Sequence, residues 1–385
     1  MVITIVCDVL GKENNGATVA AMNLIRFMKK QGHEVRVLCA DQDKQGQEGY
    51  YIVPTRSFGK VLDKYISKVG VTIAKPVDEI VEKAIDGADV VHLHVPFSLS
   101  HRAIKFARER NIPLTASFHM QAECFTGYFK LNNSKLANHI VYKYIYNRVY
   151  KYVDGVHYPT TFIKNIFEKS IKKQTPAYVI SNGVNAQMTR KHVEKPKEFK
   201  DKIVLLSVGR LSCEKSQDTL LKAVRYSKYK DKIQVILAGQ GLKEKKFRKL
   251  GEKLPNKPIM QIFSREEISN VINFADLYVH PAIIELEGIA CLEAVACGKL
   301  VIVSDSKKSA TKEFAVDEKC IFKNRKPKDL ARVIDYWIEH PEEKKIYEQK
   351  YFESAGIYNQ DDCMKRMEDM FKEVIKNKKM KKAEE

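Results

Sequence analysis

Short, near-continuous apolar runs alternate with helix-periodic segments along almost the whole chain, and few folds accommodate that alternation. Residues 2–7, Val-Ile-Thr-Ile-Val-Cys, are apolar on nearly every position, as a strand buried on both faces of a parallel sheet must be. A helix pattern follows, carried by Val19, Met22, Leu24, Ile25 and Met28, and Gly32 opens a second apolar run that ends at Cys39. Further runs stand at 88–94, 113–119, 156–159 and 177–185. The same grammar then restarts at 203–208 and continues through 233–238, 258–263, 277–280 and 300–303. Between the two halves, residues 191–202 are polar, lysine-rich and without hydrophobic period, which is the composition of a linker. The expected fold class is therefore α/β, with two Rossmann-like, doubly wound domains at 1–190 and 203–358, joined by 191–202 and followed by a C-terminal helix at 359–385. A chain of 385 residues is long enough for each half to bury its own core.

Charge narrows the partners. Lys and Arg number 67 against 48 Asp and Glu, a formal net charge of +19, which favours a nucleotide, a nucleic acid or an anionic membrane surface. The eight cysteines form no CxxC pair and no cluster with histidine, so neither a zinc site nor a disulfide framework is indicated, and the thiols are expected reduced. No uninterrupted apolar stretch reaches the roughly 20 residues of a membrane span. Residues 1–9 lack a basic leader, so a cytoplasmic location is expected.

One strand–loop–helix unit stands out chemically: Pro281-Ala-Ile-Ile-Glu-Leu-Glu-Gly-Ile-Ala-Cys-Leu-Glu-Ala-Val-Ala-Cys-Gly298. Its Ala-rich second half reads as a short helix stopped by Gly298. Gly288 stands where that helix opens, so the amides of Gly288, Ile289 and Ala290 would point outward with the positive helix end behind them, an arrangement suited to phosphate. Glu285 and Glu293 would flank the anion, and carboxylates grip hydroxyls. The implied ligand is a phosphate ester of a polyol.

Glu285-x7-Glu293, ending in Glu-Ala-x-Ala-x-Gly, resembles the signature of the family 4 retaining glycosyltransferases, whose fold is GT-B, two Rossmann-like domains facing an interdomain cleft. The stretch Gly209-Arg-Leu-Ser-Cys-Glu-Lys215 is similar to that family's Gly-Arg-Leu-x-x-x-Lys-Gly, with Ser216 where the family has glycine and Glu287 where it has an aromatic. The resemblance implies that Glu285 contacts the donor sugar, Glu293 the nucleotide ribose, and the Gly288–Ala290 amides with Arg210 and Lys215 the diphosphate. It implies a metal-independent reaction with no cofactor beyond a nucleotide-sugar donor, UDP-glucose or UDP-galactose, and retention of anomeric configuration. Gly16, in Asn15-Gly16, matches one glycine of a pair that approaches the donor phosphate, and His119, at the end of the run 113–119, matches a histidine facing acceptor and reacting sugar. His92 and His94 alternate along the preceding run and read as structural.

Two basic segments bear on the acceptor. Residues 58–73 place Val61, Leu62, Tyr65, Ile66 and Val69 opposite Lys60, Lys64 and Lys68, a pattern shared by packed helices and interfacial ones. Residues 134–153 read as one helix, with a core stripe at Val141, Ile145, Val149 and Tyr152 and a neighbouring aromatic stripe at Tyr142, Tyr146 and Tyr150 among Lys143, Arg148 and Lys151. Tyr beside Lys suits a membrane interface, and equally single-stranded nucleic-acid stacking or ordinary inter-helix packing, so Lys143, Tyr146, Arg148 and Tyr150 are candidate membrane or acceptor contacts with those alternatives open. Residues 309–318 and 334–341 are similar to family members that transfer hexose to diacylglycerol. The expected activity is hexosyl transfer to a lipid such as diacylglycerol by a protein peripheral to the inner membrane face. A soluble or lipid-linked saccharide acceptor stays open, and a nucleic-acid-binding protein is the remaining alternative from another class.

Overall fold

The computed structural model describes residues 1–8, 10, 16–57, 59, 73–127 and 129–384. The loop at 11–15 and nearly all of the basic segment 58–73 lie outside the described residues. Chain contacts divide the protein into two units, Met1–Asn182 with Cys363–Glu385, and Gly183–Asp362.

In the first unit the apolar runs become β1 (Val2–Val6), β2 (Glu34–Cys39), β4 (Val90–Leu93), β5 (Leu114–Ser117), β6 (Gly155–Tyr158) and β7 (Ala177–Val179). A short strand, β3 (Tyr50–Ile52), joins them at the edge; its half-buried Tyr-Tyr-Ile carries no clear period in the sequence. The order is β3-β2-β1-β4-β5-β6-β7, and every neighbouring pair is parallel. Between β1 and β4 the winding reverses direction. The strand ends beside such a reversal open a crevice at their carboxyl edge, where open α/β sheets bind ligands.

One face of this sheet is covered by the helix Gly16–Lys30, with Leu24, Ile25 and Met28 buried, and by the long helix Gln360–Glu384. That second helix contributes Met364, Met367, Met370, Phe371 and Val374, the i, i+3, i+4 stripe of a packed helix face. Glu368 is buried within it and is met by His33 at 3.0 Å, Lys365 at 2.7 Å and Lys372 at 2.6 Å. Burial raises the Glu368 carboxyl, yet these donors outweigh it and hold it down at about 2. Its charge is thus compensated rather than stranded.

The second unit contains β8 (Ile203–Val208), β9 (Ile233–Ala238), β10 (Ile259–Gln261), β11 (Leu277–His280), β12 (Val301–Ser304) and β13 (Ile321–Phe322), ordered β10-β9-β8-β11-β12-β13 and parallel throughout. Here the reversal falls between β8 and β11. The stretch 191–202, expected as a linker, groups with this unit: Lys191 donates its amide to Asn273 Oδ1 at 2.9 Å and Lys195 Nζ reaches Asp276 at 2.6 Å. Trp337 is buried in the core and donates Nε1–H to the Lys319 carbonyl at 3.2 Å.

One helix differs from its sequence expectation. Residues 134–153 split into the helix Lys135–Arg148, capped by the Ser134 side chain on the Ala137 amide, and a single turn at Tyr150–Tyr152. Val149, at φ −131° and ψ −64°, breaks the helical path between them.

Two outcomes follow from this packing. Phe371→Ala removes a fully buried ring and should destabilise the first unit by about 3–5 kcal/mol in urea denaturation. Ser216, the residue before the helix Gln217–Val224, holds φ +53° and ψ +33°, a left-handed conformation costing a non-glycine residue about 1–2 kcal/mol. Ser216→Gly relieves that strain but also removes the buried hydrogen bond between Ser216 Oγ and Thr219 Oγ1 at 2.9 Å, worth about 0.5–1.5 kcal/mol. The melting temperature of the second unit should therefore move by no more than about 2 °C, and a loss of about 4 °C or more would refute the strain.

Candidate active site

Two loops at the carboxyl edge of the second sheet bring the charged residues together. The first leaves β8 at Gly209 and runs to Lys215; the second leaves β11 at Pro281 and runs to Gly288. Because β8 and β11 are hydrogen-bonded neighbours at the reversal, both loops emerge side by side. They are tied by the Ile283 amide, which donates to the Glu214 carbonyl at 2.7 Å. On the other flank, a Cβ on Gly239 would come within 2.3 Å of the Gly209 carbonyl oxygen, so the turn after β9 can pack on the first loop only with glycine there.

At the centre, Lys215 Nζ and Glu285 Oε2 form a short ion pair. The same carboxylate oxygen lies 3.1 Å from His280 Nε2, and His280 Nδ1 faces the Tyr278 hydroxyl at 3.4 Å. Burial pushes the His280 imidazole down, so it is neutral near pH 7 and donates Nε2–H to the carboxylate. For Glu285, burial raises the carboxyl, but the Lys215 charge and the His280 hydrogen bond outweigh it and hold it at about 2. Its backbone is fixed as well: the Glu285 amide donates to Lys308 at 3.1 Å and its carbonyl accepts from Ala310 at 2.9 Å. Glu285 is thus an ionised carboxylate held in one position from both ends. His280 was not among the residues expected in the site; a histidine ending the strand five positions before Glu285 was the available signal.

Gly288 begins the helix Ile289–Ala296 at φ +95°, and a Cβ there would stand 2.6 Å from Thr311 Cγ2 and 3.2 Å from Glu285 Cγ. Only glycine permits this approach. The Cys291 and Leu292 amides already donate to the Gly288 carbonyl, at 2.8 and 3.1 Å. The amides of Gly288, Ile289 and Ala290 have no acceptor among the described residues, and they form the open positive end of the helix. Glu287, next to this end, is buried.

Arg210 is exposed and reaches back to Glu214 at 3.2 Å, while its carbonyl accepts from Gln217 Nε2 at 2.9 Å. Glu293 is buried on the first turns of the helix Ile289–Ala296. Burial raises its carboxyl, opposed by a short ion pair with Arg265, the first residue of the helix Arg265–Phe274. Arg265, too, was not expected, since nothing in the sequence connects positions 28 residues apart.

The first unit holds a second group of residues at its own carboxyl edge. His119 follows β5; its ring centroid lies 4.3 Å from that of His94 and 5.9 Å from that of His157. His94 Nε2 donates to the Ala17 carbonyl at 2.8 Å, which connects it to the first turn of the helix that Gly16 opens. His92 is bonded by Thr115 and Ser117 at 2.9 Å each, and His157 by Ser117 at 2.8 Å and the Ile180 carbonyl at 2.7 Å. Burial pushes all four imidazoles down, His94 and His157 to about 4. His119 Nε2 is buried with no partner among the described residues, which leaves it available to a ligand.

The aromatic stripe of residues 134–153 faces inward, so of the readings open for it the packing one holds and the membrane one does not. Tyr150 is buried and donates its hydroxyl to the Ser117 carbonyl at 3.0 Å, and Tyr142 is buried against Glu123 at 2.7 Å. Tyr146 is half-buried with its ring 6.4 Å from Phe167. Phe118 and Phe167 supply the aromatic core these rings fill. Tyr150 is therefore not a surface contact, whereas Lys143 and Arg148 are exposed. Among the described residues, no group of His, Cys, Asp and Glu is arranged to hold a metal ion, and no helix is long and apolar enough to cross a membrane.

Comparison with known proteins agrees with this architecture. Residues 14–188 match the model of Glycosyltransferase Family 4, and residues 188–353 that of Glycosyl transferases group 1. Alpha-monoglucosyldiacylglycerol synthase of Streptococcus pneumoniae is 25% identical over 319 residues, 78% of this chain and 70% of that one. Its counterpart in Acholeplasma laidlawii is 25% identical over 306 residues, 75% and 76% of the two chains. Among solved structures, sucrose-phosphate synthase from Thermosynechococcus elongatus superposes with a TM-score of 0.77 at 15% identity, over 98% of this chain and 99% of that one. Anabaena HepE in complex with UDP-glucose gives 0.74 at 16% identity, over 97% and 100%. At these identities the structures speak for the fold alone. Two parallel Rossmann-like sheets, together with two matches that run consecutively from residue 14 to residue 353, place the chain in glycosyltransferase family 4, with the GT-B fold.

Proposed function

We propose that this chain moves a hexose, glucose or galactose, from a UDP-sugar to a lipid acceptor such as diacylglycerol at the inner membrane surface, with retention and without a metal ion. The observation that carries the donor half is the Lys215–Glu285–His280 cluster beside the open Gly288–Ala290 amides. Cationic side chains and oriented amides converge where a diphosphate would lie, and they neutralise charge developing on a leaving phosphate. The acceptor half draws on the synthases of monoglucosyldiacylglycerol that resemble the chain over three quarters of its length.

In this reading the UDP diphosphate lies against Arg210, Lys215 and the amides of Gly288, Ile289 and Ala290. Lys215 has three N–H donors, so it can bridge Glu285 and a phosphate oxygen together. Glu285 accepts from sugar hydroxyls, and Glu293, steadied by Arg265, from the ribose. The acceptor hydroxyl attacks the anomeric carbon on the face that UDP leaves. The bond from that carbon to the β-phosphate oxygen breaks as the new glycosidic bond forms, and the hydroxyl proton passes to the departing phosphate. In the first unit, His119, whose buried Nε2 has no partner among the described residues, is assigned to the acceptor hydroxyl.

Purified protein given a panel of UDP-sugars, with and without diacylglycerol vesicles, should yield labelled glycolipid from one sugar; donor hydrolysis with transfer only to saccharides would overturn the lipid reading. Glu285→Gln should lower kcat on the order of a hundredfold or more while UDP binding persists. His280→Leu removes a hydrogen bond to an ionised group and should lower kcat about tenfold to a hundredfold, with His280→Asn recovering part of it. Since Glu285 stays ionised down to about pH 2, it does not set the acid limb of the wild-type pH–rate profile. Loss of the His280 donor raises the Glu285 pKa, so the acid limb of His280→Leu should move toward neutral pH; an unmoved limb would remove His280 as the residue positioning Glu285.

A further inference from the structure

With the tyrosine stripe buried, a different face of the same segment is left uncovered. Leu136, Ile140 and Tyr144 recur at every fourth position of the helix Lys135–Arg148 and are 70%, 58% and 56% exposed. Phe129 is 66% exposed, and its ring packs 5.8 Å from that of the exposed Phe125; Leu131 is exposed beside them. These six fall within 20 consecutive residues, so among the described residues most of the exposed large apolar side chains of the first unit are concentrated on one part of it. Hydrogen bonds fix the short helix Ala122–Gly127 to the longer one: Thr126 donates to Asn138 Oδ1 at 2.6 Å, Asn138 Nδ2 to the Asn132 carbonyl at 3.2 Å, and Tyr142 to Glu123 at 2.7 Å. The apolar surface therefore stands on a rigid support.

Its rim is cationic. Residues 124–153 contain no Asp or Glu, and carry Lys130, Lys135, Lys143, Arg148 and Lys151, all exposed. Arg148 stacks on Tyr144 at 5.6 Å, which places a guanidinium beside the apolar stripe. We infer that this face, centred on Leu136, Ile140 and Tyr144, docks the protein on an anionic lipid bilayer, with the apolar side chains in the headgroup–acyl boundary and the bases on lipid phosphates. A second copy of the chain is a poor occupant, because a self-paired interface would set two acid-free cationic rims against each other. Single-stranded nucleic acid is another poor occupant, since Leu136 and Ile140 offer neither a stacking plane nor a hydrogen bond. A bilayer satisfies the apolar centre and the basic rim together.

Location adds to the argument. The segment follows His119 in the chain, after the carboxyl end of β5, which is the edge that carries the residue assigned to the acceptor. A lysine-rich apolar hollow of this unit is lined by Met1, Asp89, Lys372, Ile375, Lys379 and Met380. It belongs to the amino edge, where Asp89 accepts the Val2 amide, and a lipid held there would be remote from His119. This inference rests on the lipid-acceptor reading and specifies the membrane contact for it.

The test is flotation of the full chain with phosphatidylcholine vesicles, with and without phosphatidylglycerol. The double variant Leu136→Asp, Ile140→Asp should reduce vesicle binding on the order of a hundredfold, with melting temperature and UDP-sugar binding unchanged. Lys135→Glu with Lys143→Glu should weaken binding to the anionic vesicles and leave the weak binding to phosphatidylcholine alone as it was. Wild-type flotation by the aspartate variant would overturn the docking face, as would a concentration-dependent dimer that this variant dissolves. Transfer to diacylglycerol in detergent micelles separates the two readings. A variant that keeps micelle activity and loses vesicle activity supports the face, whereas a wild type that floats through this face yet glycosylates no lipid in either medium leaves the face standing and removes the acceptor assignment.

Discussion

The ion pair between Lys215 and Glu285 joins the loops after β8 and β11, and the order of the second unit's site depends on it. Neither partner is well solvated, so removing one would strand a charge of the other at a cost of about 3–5 kcal/mol. The pair also decides protonation: with Lys215 and His280 beside it, Glu285 stays ionised where burial alone would favour the neutral acid. Much of the neighbouring backbone geometry serves this contact. Gly288 takes a left-handed conformation that leaves no room for a side chain against Glu285, Gly239 lets the β9 turn press on Gly209, and the Ile283 amide latches one loop to the other.

The first unit is built on the opposite electrostatic principle. Its carboxyl edge gathers four buried imidazoles that burial keeps neutral, three of them held by hydrogen bonds and His119 with its Nε2 open. A neutral imidazole can accept from or donate to a hydroxyl without presenting charge, which suits an acceptor alcohol, whereas the cations and amides of the second unit suit a diphosphate. Two sheets of the same winding thus carry chemically different edges.

How far the sequence could be read varied with the range of the interaction. The strands at 2–7, 203–208 and 277–280 were legible because burial on both faces demands a continuous apolar run, and the helix start at Gly288 because its residues are adjacent. For residues 134–153 the periodicity was legible and the orientation of the tyrosine stripe was not. Spacing establishes that Tyr142 and Tyr146 share a face, but not that Phe118 and Phe167 wait on that side, and the break at Val149 had no signal in composition. The contact His280–Glu285 depends on how the loop after β11 folds back on the last residue of the strand, and Arg265–Glu293 on how two helices are set against each other.

The sequence by itself determined two α/β halves, the loops that carry Arg210, Lys215, Glu285 and Glu293, and an excess of positive charge. These are local properties, fixed by period, turn chemistry and residue type over a few positions. Only the tertiary structure decided that Lys215 and His280 converge on one oxygen of Glu285, that Arg265 holds Glu293, and that Leu136, Ile140 and Tyr144, rather than Tyr142 and Tyr150, are left to the solvent. The strand order sets which loops become neighbours, and the packing of neighbouring helices sets which face of a helix is covered. Neither is written in any single stretch of the chain.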